Sequence, residues 1–156
     1  MDEDFSRWDA YARTIVIVED VQGATWEIHP SGHGDVGSWP PELVAPLYLL
    51  TAWDPSHGRP GEAVNRLRQA ALEQDVRELA SQVWSGVGYD EISGHREEGV
   101  MAAGLTTAQA LDVGRRYEQD AIFEWSPESW SILSCRSGER HQMGWRLVRS
   151  DDEGGS

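Results

Sequence analysis

Leu47-Tyr48-Leu49-Leu50-Thr51-Ala52-Trp53-Asp54-Pro55 is where an unbroken apolar run stops abruptly in rigid, polar chemistry. Four consecutive apolar residues suit a strand covered on both faces, because successive side chains point to opposite sides. Asp54-Pro55 ends that strand, since proline has no backbone donor for a ladder. Polar groups therefore emerge at the strand's carboxyl end, beside the start of the next helix, where ligands of open sheets commonly sit. Thr51, Trp53 and Asp54 are accordingly candidate ligand-binding residues.

Downstream, Ser56 to Gly61 reads as a loop, and a helix is expected from about Glu62 to Val83. Val64, Leu67, Ala71, Leu72, Val76, Leu79 and Val83 recur at three and four residues, which predicts one buried stripe. Leu67, Ala71 and Leu79 are expected in the core, together with Leu111 and Ile122 from later elements. Asn65 falls in the first turn, near Asp54-Pro55, where it is either a ligand contact or a tether for the turn.

Upstream, Thr14 to Val18 and Ala24 to Ile28 read as a hairpin, and His29 to Pro41 as a loop. Past the helix, strands are expected over Trp84 to Tyr89 and Val100 to Ala103, the second entered through a polar turn at Gly94 to Gly99. Thr106-Thr107-Ala108-Gln109 is a capping box opening a second helix to about Glu118, in which Gly114 permits close packing on the sheet. Asp120 to Trp125 and Trp130 to Cys135 read as a closing hairpin.

The expected fold is α+β: a mainly antiparallel or mixed sheet with two principal helices packed on one face. Residues 1–10 are expected as an N-terminal arm and 11–135 as a single domain. Residues 136–156 form a polar C-terminal extension, with Trp145 to Val148 its only docking part and its end disordered.

Thirteen basic residues, every one an arginine, stand against 27 acidic ones, for a net charge of −14. Direct nucleic-acid binding is disfavoured, because it depends on cationic groups displacing counterions from phosphates. The lone Cys135 excludes an intramolecular disulfide. With no apolar run long enough to span a bilayer and no signal-like start, the expectation is a cytoplasmic protein without membrane attachment.

His95-x-Glu97 is the best titratable pair. Two positions apart on extended chain, the side chains share a side, which suits joint contact with a ligand. Two such groups do not make a metal site, and His29 with His33 lack an adjacent third ligand, so no metal is expected. Gln119 is polar just where the second helix hands over to Ala121-Ile122-Phe123, and it completes the candidate cluster Thr51, Trp53, Asp54, Asn65, His95, Glu97 and Gln119. Phosphate loops and nucleophile elbows are absent, and the residues name no cofactor and no reaction.

Leu49 to Pro55, Asn65-Arg66-Leu67, His95 to Gly99 and Gly114 to Phe123 together resemble a bacterial family, domain of unknown function 3293, over roughly residues 11 to 135. That family usually reads Thr-Ala-Trp-Asn-Pro in the first block and Phe-Gly-Gln-Asn-Ala in the last. Here Asp54 and Asp120 replace amides and add negative charge, and Tyr117 and Glu118 also depart. The resemblance implies a site location and no assigned activity. Two functions fit: a pocket for an unknown small molecule or nucleotide, or a non-enzymatic acidic module for a basic protein partner, with Trp8, Trp39 and Trp145 in its flanks. Convergence of Trp53, Asn65, His95 and Gln119 in one concavity favours the first.

Overall fold

The computed structural model describes residues 5–19, 23–55 and 58–149. Its elements are α1 (Phe5–Ala12), β1 (Ile15–Glu19), β2 (Thr25–Ser31), β3 (Leu47–Leu50), α2 (Glu62–Leu79), β4 (Gln82–Tyr89), β5 (Arg96–Ala103), α3 (Thr107–Arg116), β6 (Ala121–Ser126), β7 (Ser129–Ser134) and β8 (Arg140–Arg149). The expected disordered end at 151–156 lies outside the described residues.

The strands close into an antiparallel barrel in the order β1-β2-β8-β7-β6-β3-β5-β4, with β4 returning to β1. This corrects the expected α+β sheet with two principal helices on one face. The correction comes from three pairings, β1 with β4 and β8 with both β2 and β7, which leave no sheet edge. Strand β8 escaped the sequence reading because Arg140, His141, Gln142 and Arg146 give it a polar composition. Its alternation is nevertheless that of a strand: Met143 and Trp145 face the barrel interior, and Trp145 is fully buried rather than part of an acidic surface.

Strand β3 shows why its four residues are all apolar. Leu47 and Leu49 point into the barrel with Val16, Ile28, Met101, Phe123, Trp125 and Trp130. Tyr48 and Leu50 point outward, under α2 and α3, with Leu72, Val76, Val113 and Ile122. The helices thus cover only the outer wall around β3 and its neighbours. The Thr106–Gln109 capping box forms as expected. A Cβ on Gly114 would stand 2.6 Å from Cys135 Sγ and 2.9 Å from Ile122 Cγ2, which explains the glycine.

The expected apolar stripe of α2 holds at Leu72 and Val76 and fails at Leu67, Ala71 and Leu79. Its buried residues are Asn65, Gln69, Leu72 and Val76, whereas Leu67 is 73 % exposed, Leu79 40 % exposed, and Ala71 exposed too. The buried positions keep helical spacing, but two carry amides, so a count of apolar residues found Leu72 and Val76 and then drifted off the buried face to Leu67, Ala71 and Leu79. Leu111 and Ile122 are buried as expected.

Candidate functional site

Past Leu50 the chain turns sharply, and side chains from elsewhere hold the turn. Gln69 Oε1 accepts from Ala52 N–H at 2.9 Å, while Arg68 Nε donates to the Ala52 carbonyl at 3.2 Å. Thr51 Oγ1 accepts from Trp53 N–H at 3.0 Å and donates to the Glu98 carbonyl at 2.6 Å. Gln119 Nε2 donates to the Trp53 carbonyl at 3.2 Å. Asn65 Oδ1 accepts from Asp54 N–H at 2.9 Å, and its Nδ2 donates to Asp54 Oδ1 at 2.8 Å. Each backbone polar group named here would cost about 1–3 kcal/mol if buried without a partner. Asp54 itself lies in the left-handed region, φ 43°, which Asp and Asn tolerate better than most residues.

The turn forms one lip of a cavity of about 620 Å³ at a mouth of the barrel. The cavity exists because inward positions there carry little bulk. Gly88 pairs with Glu97, and Gly86 with Gly99, across β4 and β5. A Cβ on Gly99 would stand 2.8 Å from the Leu50 carbonyl oxygen. Thr51 continues the inward face of β3, Glu97 that of β5, and Gln119 leads into that of β6, so all three line the space. Leu49 and Phe123 add apolar wall, and Tyr11 of α1 meets Phe123 edge-on with ring centroids 5.8 Å apart.

His95 leaves the β4–β5 turn on the same side as Glu97. Its Nε2 lies 2.8 Å from Glu97 Oε2 and 4.0 Å from Asp54 Oδ2. Burial raises the Glu97 pKa above the ordinary carboxylate value, against the opposing effect of His95. Asp90 fixes the turn: its N–H donates to the His95 carbonyl at 2.9 Å, and its carboxylate accepts from Ile92 N–H and Ser93 Oγ. Arg13 grips the same carboxylate with Nε and Nη2, both at 2.9 Å, and holds its pKa well below the usual range.

All seven sequence-named residues meet in one neighbourhood, in two roles. Thr51, Asp54, His95, Glu97 and Gln119 line the cavity; Trp53, through its backbone, and the buried Asn65 support the lip from behind. Sequence reading missed Gln69, Arg68, Arg13 and Asp90. Gln69 was open to detection, because it sits four residues after Asn65 on the same helix face.

Fold and site together define a small closed β-barrel with a polar mouth cavity, bounded by a side-chain-braced turn. Residues 50–122 match the family model described as "Protein of unknown function (DUF3293)", so the chain carries this family's signature over that segment and the resemblance stands. The match starts at the end of β3 and ends just after Gln119, enclosing Thr51 to Asp54, Asn65, His95 and Glu97. No curated protein and no solved structure matches the chain. Among the described residues no helix is long and apolar enough to cross a membrane.

Proposed function

We propose that this domain binds a small polar molecule in the barrel-mouth cavity. The observation that carries the proposal is the convergence of Thr51, Asp54, His95, Glu97 and Gln119 on one space of about 620 Å³. Ligand cavities fall between roughly 300 and 1,000 Å³ and combine apolar walls with a few directed polar groups. Leu49, Tyr11 and Phe123 supply the walls. The carboxylates favour a ligand that donates hydrogen bonds or carries positive charge.

A thermal-stability screen against nucleosides, amines, amino acids and sugars tests this. A ligand at about 100 times its dissociation constant stabilises by about 2.7 kcal/mol, which a melting curve resolves. Gly88→Val should abolish that stabilisation while preserving the fold, because it fills the mouth from a strand position. If no compound raises the midpoint, or if Gly88→Val still responds, the cavity is not a binding site for these molecules.

A further inference from the structure

We propose that Asp54, His95 and Glu97 bind one divalent transition-metal ion at the barrel mouth. This departs from the sequence expectation of no metal, because the third donor, Asp54, comes from 41 residues upstream of His95 and only the fold delivers it. One donor atom from each residue lies within 4.8 Å of the other two. The shortest separation, between His95 and Glu97, is 2.8 Å. Donors about 2.0–2.2 Å from a shared ion stand roughly 3–3.5 Å apart, so Asp54 closes the site by a shift of about an ångström.

The chemistry of the set selects the ion. Two carboxylates balance a 2+ charge, and the imidazole nitrogen favours zinc, iron or manganese over calcium, which takes oxygen ligands. The cations of the cavity wall do not cancel this charge completely. Arg13 is already paired with Asp90 through two bonds, which leaves Arg59 as the other described arginine lining the wall. Behind the donors, Asn65 occupies Asp54 Oδ1 and so orients the carboxylate, the outer support that metal ligands require. Three protein ligands leave coordination positions open, and these face the cavity. Use of the open positions by a bound molecule rests on the function proposed above; binding of the ion itself does not.

The test is calorimetric titration of chelator-treated, full-length protein with zinc chloride and with manganese chloride, with manganese binding also followed by electron paramagnetic resonance. One saturable equivalent is expected for at least one of the ions. Glu97→Gln and His95→Ala should each weaken it at least tenfold, and His33→Ala, on an exposed loop, should not. Glu97→Gln preserves side-chain shape, so it decides the matter even if His95→Ala unfolds. Absence of saturable binding, or equal affinity in wild type and Glu97→Gln, overturns the site. Metal binding without any response in the metabolite screen would leave the ion and remove the pocket reading; stabilisation by a metabolite in metal-free protein that binds no ion would do the reverse.

Discussion

Asn65 holds Asp54 by both ends of its amide, accepting from the Asp54 backbone N–H at 2.9 Å and donating to its carboxylate at 2.8 Å. Asn65 is 3 % exposed, so water cannot replace it. Asn65→Ala should therefore destabilise the fold by about 1–3 kcal/mol in urea denaturation. It should also weaken ligand or metal binding, because Asp54 is aimed from this contact. A loss below half a kilocalorie would mean that the turn holds itself.

Helix α2 gives a paired prediction. Leu67→Ala, on the exposed side, should change stability by less than about 0.5 kcal/mol. Leu72→Ala, fully buried beneath the helix, should cost about 2–5 kcal/mol. Equal costs in chemical denaturation would contradict the observed register.

Gly114 lies inside α3, where alanine is ordinarily better by about 1 kcal/mol. The Cys135 sulfur at 2.6 Å from its would-be Cβ reverses that sign, and Gly114→Ala should instead destabilise by about 1–3 kcal/mol. Cys135 is buried, and burial pushes its thiol pKa up to about 11. Native protein should therefore resist thiol reagents at neutral pH and react in denaturant. A stabilising Gly114→Ala, read by thermal melting, would show that the helix sits further from β6 and Cys135.

Alkaline stability follows from Tyr48. Burial raises its pKa from 10.0 to about 12, and its hydroxyl donates to the buried Glu124, whose carboxylate also pairs with Arg140. The folded state holds this proton more tightly than the unfolded chain does. Its contribution is complete below pH 10 and disappears as pH rises through about 12. Tyr48→Phe should flatten this part of the stability profile. Tyr117, raised to about 12 by burial and by its bond to Asp75, should keep some slope. An unchanged profile in Tyr48→Phe would remove Tyr48 from the account.

Much of the site was legible because it is local in pattern. Apolar Leu47–Leu50 followed by Thr51 to Pro55 marks a strand that stops in a polar turn, and the alternation of His95 and Glu97 puts both on one side. The barrel was not legible. Closure depends on β1 finding β4 and on a polar β8 finding β2, relationships that leave no mark within any short window. Half of the buried face of α2 was missed, because amides can occupy buried positions when they have backbone groups to satisfy. Asn65 and Gln69 do so for Asp54 and Ala52, and only their spacing of four residues on one helix face marks them.

The pairing of Trp26 with Arg149 joins residues 123 positions apart in the sequence. A strand pair of that separation forms only after most of the intervening polypeptide has given up its freedom, and the entropy of loop closure is spent before the contact returns anything. Refolding should therefore be slow, in the range of milliseconds to seconds, with β8 seated late. Substitutions confined to the β2–β8 seam should accelerate unfolding far more than they retard refolding, and the mouth should acquire its final shape only when that seam shuts.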